Sequence, residues 1–310
     1  MSRYSANHGA AFRCSALLVG LAGLIAMMAA PSAAQQVDNE VGVGISAAGD
    51  IAVCASPLSR GAGAATARLL DDLPGPILAL GDLAYPDGSA EEFRDCYGPT
   101  WGRHRARTWP VPGNHDYRSR QGGPYYDYFG ARAGERGRGW YSFDLDGWHL
   151  VALNSNLKRT LAAEQLAWLE ADLAAAPGRC LLAFWHHSHF SSGRHGDSQR
   201  MQAAFEILRR QGASILLTGH DHLYERLAPL DAAGRPDRHG VRVFVVGTGG
   251  AWPYEIERRR PHSEAASSGI AGVLRLLLAP DRYTWDFRPV AGESFEDRGS
   301  AACSPRPERE

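Results

Sequence analysis

Pro76-Ile77-Leu78-Ala79-Leu80-Gly81-Asp82 reads as a short apolar strand that stops at a glycine and hands over to an acid. A run this brief, apolar throughout and bounded by Gly, fits a strand buried on both faces. Gly81 lets the backbone turn sharply, so Asp82 stands at the carboxyl end of its strand, where α/β folds gather ligands. The pattern repeats along the chain. A strand over 42–48 ends at Asp50, and 109–112 leads into Gly113-Asn114-His115-Asp116. A strand over 180–185 leads into His186-His187, and one over 215–218 into Gly219-His220-Asp221-His222. Helical spacing appears over 61–73, 161–175 and 201–211, and a short helix starts in 91–97. Strands at 140–145 and 148–154 flank an Asp146-Gly147 hairpin turn, and further strands follow at 241–247, 274–278 and 283–287. Strands and helices alternate early and strand pairs dominate late. That predicts α/β layers around two sheets, not a bundle or an all-β sandwich.

The residues at these strand exits are metal donors. Asp50, Asp82, Tyr85, Asn114, His186, His220 and His222 offer carboxylate, phenol, amide and imidazole atoms. Two cations about 3.5–4 Å apart need roughly this many, with one carboxylate shared. Asp82 is the expected bridge, Asp50 belongs to the first cation, and Asn114 gives a neutral oxygen to the second. His220 and His222 point the same way on an extended segment, whereas on a turn they reach one cation each. Taken singly, an Asp after a strand is usually a turn or cap residue and a Tyr a packed aromatic. Only the set carries the signal. His104, His149, His239 and His262 fall outside it and read as structural or surface residues. The Gly247-Thr248-Gly249-Gly250 run lacks the Lys and helix of a phosphate loop and reads as a tight strand exit.

The 310 residues suffice for one large domain or two small ones. A net charge of −1 gives no bulk attraction to nucleic acid or to an anionic membrane. Arg3 and Arg13, the apolar run 16–30 and the small residues Ser32-Ala33-Ala34 form a signal-peptide pattern. We expect a cleaved signal over 1–34, a single catalytic domain over 35–303, and a frayed tail over 304–310. The location is then secreted or periplasmic, with no stable membrane anchor after cleavage. An uncleaved anchor helix is the competing reading. Cys54, Cys96, Cys180 and Cys303 remain after cleavage, and an even number in an oxidising compartment favours disulfides, with three pairings open. We prefer Cys54–Cys96, tying the loops after two metal-bearing strands, and Cys180–Cys303, stapling the tail to a core strand. A Cys-ligated zinc lacks the usual ligand spacing.

The order Asp50, Gly81-Asp82-x-x-Tyr85, Gly113-Asn114-His115-Asp116, His186, Gly219-His220-x-His222 resembles the calcineurin-like metallophosphoesterase superfamily. More narrowly it is similar to the purple acid phosphatases and their secreted bacterial relatives, over 50–226, including His222-Leu223-Tyr224-Glu225-Arg226. The resemblance implies a four-layer αββα sandwich of two mixed sheets flanked by helices. It implies two metal ions: Fe(III) held by Asp50, Asp82, Tyr85 and His222, and a divalent Zn, Mn or Fe held by Asp82, Asn114, His186 and His220. The wider superfamily has Asp-x-His in its first motif, whereas this chain has Ala52. Purple acid phosphatases also lack that His, use the tyrosinate, and usually carry Gly where Ala52 stands. The implied reaction is in-line attack of a metal-bound hydroxide on phosphomonoesters. His115 is then a general acid or phosphate donor, His195 a catalytic and substrate-binding residue, and His187 a substrate donor; Asp116 is expected to orient His115. Ser188, Ser191 and Ser192 need not act as nucleophiles. The β-sandwich that usually leads purple acid phosphatases is expected to be absent. Substrate choice is assigned to loops over 118–139 and 252–268. The rival activities are phosphodiesterase or phospholipase-like hydrolysis at the same site, and, in another class, a non-catalytic secreted metal-binding protein.

Overall fold

The computed structural model describes residues 42–54, 57–176, 178–196, 198–256 and 258–303, with only the backbone described for 57–61. The expected signal peptide 1–34 and tail 304–310 lie outside the described residues. In chain order the strands are β1 Val43–Ala48, β2 Ala52–Val53, β3 Ile77–Ala79, β4 Ala84–Tyr85, β5 Thr108–Pro110, β6 Tyr141–Leu145, β7 Trp148–Ala152 and β8 Cys180–His187. There follow β9 Ile215–Gly219, β10 Tyr224–Leu230, β11 Val241–Val246, β12 Ser263–Ser267, β13 Gly272–Leu278, β14 Arg282–Pro289 and β15 Arg298–Ala302. The longer helices are α1 Pro57–Asp71, α2 Gly123–Phe129, α3 Arg159–Ala175 and α4 Gln202–Arg210.

One sheet has six strands in the order β15-β14-β13-β1-β3-β5, and the other seven in the order β12-β10-β11-β9-β8-β7-β6. Both are mixed: β1, β3 and β5 are parallel, as are β7, β8, β9 and β11, while β6 and the strands β10 and β12 to β15 pair antiparallel. Side chains alternate across a strand, and the packing follows that period. Leu182 and Phe184 of β8, with Leu150, Ala152, Ile215 and Leu217, pack with Ile45, Ala47, Leu274 and Leu276 of the other sheet. The intervening Leu181, Ala183 and Trp185 turn outward under Leu169 and Leu173 of α3 and Phe205 and Leu208 of α4. Ala67 and Leu70 of α1 cover the six-stranded sheet, beside Trp101, whose indole N–H donates to Thr66 at 2.9 Å. The result is the four-layer αββα sandwich. Full burial of each Leu or Phe is worth about 1.5–3 kcal/mol, so this pattern holds the strand exits on one rigid frame.

Cys54 joins Cys96 and Cys180 joins Cys303, with Cα atoms 5.5 and 5.9 Å apart. The second bond ties β8 of one sheet to the residue after β15 of the other. Chain-entropy estimates put such loops at about 4 and 5 kcal/mol, as upper figures.

Several elements differ from the reading of the sequence. β8 runs two residues past Trp185, so His186 and His187 belong to the strand; a register break between Phe184 and His187 turns them toward its end. The expected short helix is one turn, Ala90–Glu92, capped by Ser89 and continuing as a π-helical turn Phe93–Tyr97. β10, β12 and β15 were not expected. They lie at or beside sheet edges and carry Glu225, Arg226, Pro229, Glu264 and Arg298, which blur an apolar alternation. Pro229 sits where β10 slips register against β11, a place where a strand tolerates proline.

Candidate metal centre

Asp50, Asp82 and His220 each leave a strand in the left-handed region, with φ of 60°, 51° and 73°. That conformation is costly for side chains other than glycine, and such strain gathers at functional sites. Neighbouring glycines permit the close approach of these turns. A Cβ on Gly81 would lie 2.7 Å from the His186 Nδ1, and one on Gly113 would lie 2.0 Å from the Asp82 carboxylate.

Two groups of donors result, and they share one carboxylate. The Tyr85 hydroxyl lies 2.9 Å from Asp50 Oδ1, 3.1 Å from Asp82 Oδ2 and 3.1 Å from His222 Nε2. His186 Nε2 lies 3.2 Å from Asn114 Oδ1 and 3.3 Å from the same Asp82 Oδ2. One donor atom each of Asp82, His186 and His220 falls within 4.8 Å of the others. All seven expected metal donors therefore meet, with Asp82 common to both groups. The turn at His220 separates the two imidazoles of Gly-His-Asp-His: His220 joins His186, and His222 joins Asp50 and Tyr85.

The chemistry of this set fits cations. His186 Nδ1 faces the Leu80 carbonyl at 2.8 Å and His222 Nδ1 faces the Trp252 carbonyl at 2.5 Å. A carbonyl only accepts, so each Nδ1 carries a proton and each Nε2 is aimed inward as a metal-binding imidazole requires. Burial, then Asp50 and Asp82, push the Tyr85 phenol well above its usual range. Burial pushes Asp82 up, but the His186 charge and hydrogen bond prevail and hold it low. Burial pushes His186 down, while Asp82 and Asp50 lift it to about 9. Cations placed among these oxygens would take over the role of those protons. Ala52 of β2 pairs with Ala84 of β4, so the position of the missing His lies beside the strand that supplies Tyr85.

Around the donors stand further side chains. The His115 amide donates to Asp82 Oδ1 at 2.7 Å, its Nδ1 faces the Pro86 carbonyl at 2.6 Å, and its ring lies 4.4 Å from that of Tyr85. Its Nε2 is 3.9 Å from Asp82 Oδ2. His195 is half-buried; its ring centroid is 4.5 Å from that of His220, and its Nε2 accepts from Arg194 at 3.1 Å. His187 is 4% exposed, with Nδ1 at 2.7 Å from the Ser155 hydroxyl and its ring against His186 and His220. One expectation is corrected: Asp116 does not orient His115. Its carboxylate accepts the amides of Gly113 at 2.8 Å and Leu83 at 3.0 Å, clamping the two metal-bearing loops together, while the Pro86 carbonyl holds the His115 ring. Ser188 and Ser192 are buried on Thr218 and Glu225.

The sequence reading missed Trp252, Tyr254 and Arg194. Tyr254 lies flat on His222, with ring centroids 3.9 Å apart and planes at 12°, and the Arg194 guanidinium sits 3.7 Å from the Tyr254 ring. No local motif marks these three residues, although 252–268 was singled out as a substrate loop. The Gly247–Gly250 turn does pack on the site: Gly249 donates to the Gly49 carbonyl at 2.9 Å, and the Ala251 amide donates to that of Asp50 at 2.8 Å.

The profile of calcineurin-like phosphoesterases matches residues 47–224, which includes every donor above. The chain belongs to that family. Among known members it is similar to purple acid phosphatase 15 of Arabidopsis thaliana, 27% identical over 59% of this chain and 41% of that protein. Tartrate-resistant acid phosphatase type 5 of Oryctolagus cuniculus is 25% identical over 44% of this chain and 42% of its own length. The chain thus spans about two fifths of these curated relatives. Among solved structures, the purple acid phosphatase of yellow lupin superposes with a TM-score of 0.67 at 18% identity, covering 84% of this chain and 53% of that one. PhoD superposes with a TM-score of 0.54 at 11% identity, over 85% and 70%. These superpositions establish the metallophosphoesterase fold.

Proposed function

We propose that this chain is an exported phosphatase that hydrolyses phosphomonoesters with two bound cations. The observation that carries the reading is the Asp82 carboxylate, whose Oδ2 stands between Tyr85 Oη at 3.1 Å and His186 Nε2 at 3.3 Å. Asp50, Asp82, Tyr85 and His222 would hold Fe(III), since a phenolate is a hard anion; Asp82, Asn114, His186 and His220 would hold Zn, Mn or Fe(II). Bound there, the cations supply a water of lowered pKa and neutralise phosphate oxygens. The chain's own residues do the rest. Asp116 keeps the Leu83 and Gly113 loops in register, so that Asp82 and Asn114 arrive together. His115 gives its Nδ1–H to the Pro86 carbonyl, and in its imidazolium form it passes the Nε2 proton to the leaving oxygen as general acid. His195 takes the Arg194 N–H on Nε2, which leaves its Nδ1–H to donate to a phosphate oxygen. His187, expected as a substrate donor, is sealed against Ser155 and instead braces the ring of His220. Two disulfides suit an oxidising compartment, and no helix among the described residues is long and apolar enough to cross a membrane.

Turnover of p-nitrophenyl phosphate against its bis ester by the metal-replete protein tests the reading. The monoester should be preferred; a strong preference for the bis ester would assign the site to diesters, and no turnover of either would favour a metal-binding protein.

A further inference from the structure

Among the described residues two large apolar side chains stand open to solvent: Leu161 on α3, 38% exposed, and Trp252, 45% exposed. Trp252 stands beside the metal donors. Its indole meets the Tyr85 ring edge-on, with centroids 5.9 Å apart and planes at 78°. His115, the group placed at the leaving oxygen, packs on the same Tyr85 ring. The segment is firmly held. The Trp252 carbonyl faces His222 Nδ1 at 2.5 Å, and the Tyr254 amide donates to the His222 carbonyl at 3.0 Å. Tyr254 lies with one face on His222 and the other under the Arg194 guanidinium. The backbone at Trp252 is held, and its indole is left open to solvent beside the Tyr85 ring. Its flat apolar surface is available to whatever enters beside His115.

We propose that Trp252 is a platform for the leaving group, favouring phosphoesters of flat aromatic alcohols over those of small aliphatic ones. The inference rests on the phosphoesterase reading for its substrate class. With phosphate at the metal donors and His195, the aryl arm would lie against the indole in the offset or edge-on geometry that aromatic pairs prefer. Trp252 acts by contact with the ester arm and takes no part in proton transfer. Because its link to His222 runs through the backbone carbonyl, replacing the side chain leaves that hydrogen bond available.

Calorimetric binding of phenylphosphonate and methylphosphonate to the full metal-loaded chain tests the platform apart from turnover. The wild type should bind phenylphosphonate about tenfold more tightly than methylphosphonate, a gap of the size that stacking on an aromatic side chain supplies. Trp252→Ala should bring that ratio close to one, and Trp252→Phe should keep most of it. A ratio unchanged in Trp252→Ala, or near one in the wild type, including no measurable binding of either ligand, would overturn the proposal. A wild type that shows the ratio but hydrolyses neither phenyl phosphate nor methyl phosphate upholds the platform and sinks the phosphatase reading. Turnover without the ratio does the reverse.

Discussion

His149 and His186 are both buried histidines beside aspartates, and the two clusters are wired differently. His149 Nδ1 meets Asp144 at 2.8 Å and Nε2 meets Asp172 at 2.9 Å. Each carboxylate has a further partner: Arg179 lies 3.0 Å from Asp144, and the Ser142 hydroxyl donates to Asp172 at 2.6 Å. Two carboxylates thus face His149 and Arg179 across β6, β7, α3 and the segment before β8, and none of these residues has a left-handed backbone. At the other cluster a single oxygen of Asp82 faces Tyr85 and His186 together, and three of the donors are held in strained turns. The same residue types therefore yield a strut in one place and a candidate metal centre in the other. Matching separates a structural cluster from a functional one; residue type alone does not.

If that contrast is correct, truncating a converging donor harms function and truncating the strut harms stability. The largest effect is expected for His220→Ala, which should lose bound metal and about a thousandfold in kcat/KM, since the proposed in-line reaction would need both cations. Kinetics with metal analysis checks this, and full activity would remove His220 from the donor set. Tyr85→Phe should abolish the visible absorption expected of a tyrosinate on Fe(III), with a smaller loss of turnover. A colourless wild type containing only Zn or Mn would show that the first cation is not iron. The smallest effect belongs to His149→Gln, which should leave metal content and kcat alone and cost about 2 kcal/mol of stability near pH 6. Its sign with pH follows from the strut. Burial pushes His149 down, but the Asp172 and Asp144 hydrogen bonds prevail and hold it above its usual value. The contribution is thus fully present below the unfolded value near 6.5 and fades as pH rises through the folded value. Urea unfolding of wild type and variant should show the gap narrowing at alkaline pH; a gap that widens would refute the matched-charge account.

The candidate donors were legible because each lies in a short string at or near the end of a strand, where Gly81, Gly113 and Gly219 mark turns. The layered fold was legible from apolar runs such as 180–185, whose alternate residues serve both faces of one sheet. Contacts between strings were less accessible. Asp116 follows His115 in sequence but turns to the amides of Leu83 and Gly113, because adjacency along a loop does not specify where a side chain points. Tyr254 and Arg194 meet His222 across three separate segments, and nothing in their local sequence signals the stack. His149 pairs with residues of its own hairpin and of α3, so its role emerges only when β7 is placed against the helix. Polar strands such as β12 escaped because their pairing depends on β10, not on an apolar face of their own.

The shared carboxylate is tested most directly by the number of metal equivalents bound per chain in the wild type and in Asp82→Ala. Two equivalents in the wild type, falling to one or fewer in the variant, are predicted. A wild type with less than one equivalent, or a variant that still holds two, would contradict the bridging role of Asp82.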